Sequence, residues 1–339
     1  MRVRLKDIAK DLNLSKMTIS KVLRGQTDIS DATKARVLKR VKELKYIPNI
    51  SASSLRTGQT KTLGLVLPSI GTPHLSDIAA GINQAADAQG YSLIVASSRE
   101  DADCEHRQIE TFLSLQVDAL LIVSLEETPE YFEQMQKPRR MPMIFIDHKP
   151  AGARESCVVV DDEEVGAMAC EHLLQAGCKR IAYLRGPRTA TGDMRARGYR
   201  QALSDHGQAV QPDLVVESMY FAESEYERGH ASMLRLLERR GRPDGVMAYT
   251  DMVALGAMDA AISAGVKIPE EMRFVGCGDD ALLCAMKIPL SSINVAGVEL
   301  GLKAGQLAFA AIASGNGRKP QRVLIKPKLI KRRSSEKPR

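Results

Sequence analysis

Tryptophan is absent from the 339-residue chain and aromatic side chains make up only 4% of it, which excludes an aromatic stacking platform for single-stranded nucleic acid. No run approaches the ~18 consecutive apolar residues of a membrane helix. The start, Met1-Arg2-Val3-Arg4-Leu5-Lys6-Asp7, carries no apolar signal core, so a cytoplasmic protein without membrane attachment is expected. The six cysteines (Cys104, Cys157, Cys170, Cys178, Cys277 and Cys284) never pair as C-x-x-C, and buried free thiols are expected in preference to disulfides or a metal site. Six scattered histidines give no zinc-ligand spacing. Phosphate-loop, dinucleotide, G-x-S-x-G and H-E-x-x-H motifs are all missing, so no catalytic chemistry and no cofactor is expected.

What is present is a charge imbalance. The whole chain carries 48 Lys+Arg against 41 Asp+Glu, a net of +7. Residues 1–60 alone hold 14 basic and 5 acidic side chains, and residues 326–339 hold 7 and 1, which leaves −8 for the stretch between. An acidic body behind a basic front suits a protein that meets a polyanion with one module. Hydrophobic content of 44% with 26% charged residues is that of a folded globular chain.

The basic front reads as three helices. Leu5, Ile8, Ala9 and Leu12 follow a helical period that Asn13 breaks. Ser15 is placed to cap a second helix with Ile19, Val22 and Leu23 on its apolar face and Gly25 at its end. A third helix is expected from Ser30 or Asp31 through Ala35, Leu38, Val41 and Leu44, stopped by Pro48. Two short helices joined by a tight turn, with a third packed across them, form a helix-turn-helix. The outward residues of the second helix are Lys16, Met17, Thr18, Ser20, Lys21 and Arg24, with no acid among them. A helix entering the major groove needs that pattern, because carboxylates would meet phosphates while donors read base edges. The same pattern would also suit a structural three-helix module with a solvated basic face.

The run Leu5-Lys-Asp-Ile-Ala-Lys-Asp-Leu-Asn-Leu-Ser-Lys-Met-Thr-Ile-Ser-Lys-Val-Leu-Arg-Gly25 resembles the headpiece of the lactose-repressor (LacI/GalR) family of bacterial transcription regulators. Tyr46-Ile47-Pro48-Asn49 and Ser54-Leu55-Arg56-Thr57-Gly58 resemble that family's hinge helix. The resemblance implies Lys16, Met17 and Lys21 as base readers, within a DNA-contacting set that adds Leu5, Ser15, Thr18, Ser20, Arg24, Tyr46, Asn49, Ala52 and Leu55. Lys21 stands where the family usually has Arg, whose fork makes the bidentate guanine contact. Leu55 is implied to wedge into the minor groove and kink the operator. A hinge this short is far below the ~12–15 residues that hold a helix in water, so DNA is expected to order it.

Beyond residue 60, apolar runs at 62–68, 91–96, 119–123, 143–146, 157–160, 180–184, 245–249 and 273–277 alternate with helical patterns at 75–88, 163–176 and 251–264. Alternation of this kind builds parallel sheets with crossover helices, and the repeat near residue 160 makes two Rossmann-like lobes. Ligands bind beyond the carboxyl ends of such strands. The resemblance extends to the family's periplasmic-binding-protein-like core, with an effector between the lobes. It implies Asp147, Arg195 and Asp251 as pocket residues, with His74 and Asp279 as further candidates. Gly276-Cys277-Gly278-Asp279-Asp280 places Gly278 where the family commonly has its first, ligand-binding aspartate.

The expected organisation is an all-α helix-turn-helix headpiece over 1–47, a hinge over 48–60, a two-lobed α/β effector and dimerisation core over 61–330, and a basic tail over 331–339. The expected function is a ligand-responsive transcription regulator that binds a pseudo-palindromic double-stranded operator as a homodimer and answers to a sugar-like effector. No leucine heptad follows residue 330, which argues against a tetramerising coiled coil. Alternatives are a regulator whose core answers to a protein partner, a sugar-acting enzyme built on the cleft acids, and a transport-class solute-binding protein. The last has no use for residues 1–60.

Overall fold

The computed structural model describes residues 3–23, 26, 28–46, 58–126, 128–136, 141–186, 190–217, 224–315 and 319–336. The chain divides into two compact units, Met1–Thr60 and Lys61–Arg339.

In the first unit, α1 (Leu5–Asp11), α2 (Lys16–Leu23) and α3 (Asp31–Glu43) pack on one another. The Arg4 backbone N–H donates to the Asp7 carboxylate at the start of α1 (2.8 Å). Asn13, at φ +53°, turns the chain after it. Ser15 Oγ accepts from the Thr18 N–H at 3.0 Å and so caps α2, the role expected of it. Ile8, Ala9, Ile19, Val22 and Val37 form the buried core, with Leu5, Leu12, Val41, Leu44 and Tyr46 half-buried around it. The register of α3 corrects the sequence reading. Val37, Val41 and Leu44 make the buried stripe, whereas Ala35 and Leu38 face solvent, Leu38 at 53% exposure. A helix crossing two short partners buries a narrow seam, and Val37 takes it with i, i+4, i+7 spacing.

The second unit holds two parallel sheets. One runs β11-β5-β4-β3-β1-β2, from β1 (Thr62–Leu67), β2 (Ser92–Ser97), β3 (Ala119–Ile122), β4 (Met143–Asp147), β5 (Ser156–Val160) and β11 (Arg322–Ile325). The other runs β12-β10-β9-β8-β6-β7, from β6 (Ile181–Arg185), β7 (Val215–Glu217), β8 (Gly245–Ala248), β9 (Arg273–Cys277), β10 (Ser291–Asn294) and β12 (Lys328–Ile330). All strand pairs are parallel except β12 against β10. The central strands are buried on both faces, which is why they read as unbroken apolar runs.

The lobes do not divide simply at residue 160. The chain enters lobe two after β5, returns to lobe one after β10 to build α11 (Gly297–Ser314) and β11, then crosses again to pair β12 with β10. Residues 334 and 335 of the basic tail are docked on lobe two. Ser334 Oγ donates to the Phe274 carbonyl (2.7 Å) and accepts from the Ser291 N–H (2.8 Å), and Ser334 and Ser335 are both buried.

Three helix pairs close the lobes: α4 (Pro73–Ala88) with α11, α7 (Asp162–Gln175) with α8 (Ala190–Asp205), and α9 (Glu225–Leu237) with α10 (Asp251–Ser263). The remaining two, α5 (Ala102–Leu115) and α6 (Glu130–Gln136), join a core on the first sheet through Ile109, Phe112 and Phe132. Each pair crosses at glycines on both sides, so that backbone touches backbone. A Cβ on Gly166 would lie 2.0 Å from the Arg195 carbonyl oxygen, and one on Gly198 would lie 1.9 Å from that of Glu163. This crossing sets Arg195 of α8 beside Asp162, the first residue of α7. All six cysteines are free thiols, five buried and Cys284 exposed.

Candidate functional site

A cleft of about 260 Å³ lies between the two lobes at the carboxyl ends of their strands. Lobe one contributes Ser69, Thr72, His74, Glu100, Ser124, Asp147 and His148. Lobe two contributes Thr191, Arg195, Glu225, Arg228, Tyr249, Thr250 and Gly278.

Asp147 ends β4 at φ +70°, and its Oδ1 sits 3.1 Å from His74 Nε2. Burial pushes this carboxyl up, but the charge and hydrogen bond of His74, aided by Arg195, outweigh burial and hold it down to about 2. From lobe two, Arg195 donates from Nε to Asp162 Oδ1 (2.8 Å) and from Nη1 to the Tyr249 carbonyl (2.8 Å). Its guanidinium lies 4.8 Å from the centroid of the Tyr249 ring. Burial drives the Asp162 carboxyl up to about 6 in spite of Arg195. Gly186 lies against Tyr249 as well, since a Cβ there would sit 2.4 Å from the ring. With Arg195 and Gly186 both packed on it, Tyr249 serves as a wall of the cleft.

His74, Asp147 and Arg195 of the sequence candidates therefore meet in the cleft, while Asp251 and Asp279 stand behind it in lobe two. Asp251 accepts from Ser292 Oγ (2.6 Å) and from the Asp280 N–H (3.0 Å), and burial raises its carboxyl to about 6. Asp279 accepts from Asn294 Nδ2 (2.8 Å) and Arg332 Nη2 (2.6 Å), which ties β10 and Arg332 to the β9 terminus. Gly278, at φ +133°, does line the cleft. A Cβ there would approach Asp251 Oδ2 to 3.0 Å, so Asp251 already fills the space beside it.

Sequence reasoning passed over Glu225 and Arg228. Glu225 accepts from Thr250 Oγ1 (2.9 Å), and burial raises its carboxyl. The signal was the capping box of Ser224 and Glu227, which fixes where α9 begins and so what its first turn presents. Glu105 was also missed. It is fully buried behind the cleft, accepting from Ser124 Oγ (2.6 Å) and the Leu125 N–H (2.8 Å), two groups that shape the lobe-one wall.

In the first unit, α2 presents Lys16 and Met17 to solvent, Met17 at 64% exposure. Thr18, Ser20 and Lys21 are half-buried, and Lys21 Nζ pairs with Asp28. Ser15 is exposed and occupied as the cap of α2; Leu5 and Tyr46 pack on the core. Arg24, Gly25, Asn49, Ala52 and Leu55, with the hinge from 48 to 57, lie outside the described residues.

Two family models match this chain. "Bacterial regulatory proteins, lacI family" matches residues 4–49, which include the whole helix-turn-helix unit, and "Periplasmic binding protein-like domain" matches residues 170–335. The chain belongs to the LacI family. Among the relatives of this LacI-family protein is the transcriptional repressor PurR of Mannheimia succiniciproducens, 28% identical over 334 residues and covering 98% of both chains. The transcriptional regulator DegA of Bacillus subtilis is 27% identical over 339 residues, with 99% of this chain and 98% of that one covered. A solved CelR–cellobiose complex is 28% identical with TM-score 0.72, covering 98% of this chain and 100% of the other. The lac repressor dimer bound to operator and the anti-inducer ONPF shares the fold at TM-score 0.86 and 23% identity, over 99% of each chain. The protein is thus a DNA-binding transcriptional repressor of the LacI family, with the helix-turn-helix plus two-lobed α/β architecture expected from its sequence. Among the described residues no helix is long and apolar enough to cross a membrane, and no cluster could hold a metal ion.

Proposed function

We propose that this repressor is a cytoplasmic homodimer whose grip on a pseudo-palindromic operator is set by a small polyhydroxylated metabolite bound between its lobes. The observation that carries this reading is the opposition of His74–Asp147 from lobe one to Arg195–Asp162 from lobe two around one cleft. An ionised carboxylate and a guanidinium suit vicinal hydroxyls, because each offers paired, charge-assisted hydrogen bonds. A ligand touching both pairs is sensitive to the angle between lobes, and therefore biases it. The bound ligand of CelR, cellobiose, is of this class.

Lys16, Met17 and Lys21 supply sequence preference, phosphate contacts from the basic first unit supply salt-sensitive affinity, and Leu55 wedges at the operator centre. Two-fold protein requires two-fold DNA, so half-sites should lie about one helical turn apart. The test is a footprint on genomic DNA, repeated with a panel of sugars and sugar derivatives. A protected pseudo-palindrome of ~14–20 base pairs whose occupancy one of these compounds shifts is the expected result. Protection indifferent to sequence, or to every compound that binds the protein, would overturn the reading.

A further inference from the structure

Lys21 pairs with Asp28, an exposed residue just before α3. That places a carboxylate on the flank of the recognition helix, where the approach of phosphates makes an uncommitted acid unfavourable. Lys21 by itself offers a point charge, without the fork that reads the two acceptors of guanine. With Asp28 beside it, the surface carries a donor and an acceptor in contact.

The major-groove edge of a G·C pair has the complementary order, with N7 and O6 acceptors on guanine followed by the N4 amino donor of cytosine. We propose that Lys21 and Asp28 act as one unit that reads a single G·C pair, Lys21 donating to guanine and Asp28 accepting from cytosine N4. The inference rests on the reading of α2 as the recognition helix. An A·T pair presents its donor and acceptor in a different order, N7 acceptor, N6 donor and then O4 acceptor, and would set the cytosine-seeking carboxylate against the thymine O4. Asp28 thus adds discrimination where a lone lysine would tolerate several bases.

The test uses the full chain and selection of bound sites from a randomised DNA pool, followed by binding to the selected site with each base pair substituted in turn. Lys21→Ala and Asp28→Ala should both relax preference at the same base pair, each by about tenfold. The double variant should lose no more there than either single one, because the pair acts as a unit. Asp28→Asn, which keeps an acceptor oxygen, should retain part of the preference. If Asp28→Ala instead tightens binding equally to every sequence, the acid merely repels the backbone and the proposal fails. Preference lost at a different position from that of Lys21→Ala also overturns it. Should Lys21→Ala leave all preferences unchanged, the proposal fails; the reading of α2 itself fails only if Lys16→Ala and Met17→Ala leave them unchanged as well, an outcome that does not depend on Asp28.

Discussion

Replacing Gly198 by alanine tests the claim that backbone contact between α7 and α8 builds the lobe-two side of the cleft. The new Cβ would lie 1.9 Å from the Glu163 carbonyl oxygen and 2.7 Å from the Ala167 nitrogen. Carbon and oxygen meet comfortably at about 3.3 Å. The helices must therefore part by more than about 1 Å, and no flexible side chain is there to give way. Overpacking of this kind costs about 3 kcal/mol. The same separation pulls on the 2.8 Å bond between Arg195 and Asp162, which lie on opposite sides of the crossing. Urea unfolding of Gly198→Ala should show the loss, with Gly207→Ala as control. Gly207 sits at φ +69° with nothing within 4 Å of a Cβ, so its loss should be limited to the left-handed backbone penalty of about 1 kcal/mol. A Gly198→Ala protein within about 0.5 kcal/mol of the parent would refute the reasoning.

The same geometry sets further expectations. Arg195→Ala should cost about 3 kcal/mol, read by urea unfolding, because it strands Asp162, whose side chain is 2% exposed; an unchanged midpoint would count against the pairing. Asp251, raised to about 6 by burial, takes up its proton in the folded state before the unfolded one does. The parent should therefore gain stability relative to Asp251→Asn as pH falls from about 7 to about 4, by roughly 3 kcal/mol for two pKa units; a pH-independent difference would contradict the burial. Asp147, held down to about 2, works in the opposite sense, and its contribution disappears only as pH falls from about 4 to about 2. Leu55→Ala should weaken operator binding while leaving salt-sensitive binding to random DNA nearly unchanged, as gel-shift titration against both DNAs would show.

The alternation of apolar runs with helical patterns foretold most of the strands because parallel strands buried on both faces cannot hide their composition. Short strands such as β7 and β10 escaped, since three or four residues carry no period. The register of α3 slipped for a related reason. Ala35, Leu38 and Val37 are all apolar, and which of them turns inward depends on how α3 crosses α1 and α2.

The sequence by itself determined the helix-turn-helix, the cap at Ser15, the parallel two-lobed core and the dispersed thiols, because propensity, capping and period act over a few neighbours along the chain. Tertiary structure alone decided which acids reach the cleft. Asp147 ends one strand and Asp251 follows another, yet Asp147 meets His74 across 73 residues while Asp251 turns inward to Ser292, 41 residues away. The folding of β10 against β9, the loop after β9 and the return of Arg332 supply the donors that hold Asp251 and Asp279 behind the cleft. Partners that distant in sequence leave no local trace, because a buried carboxylate is steered by whichever hydrogen-bond donors the fold brings to it.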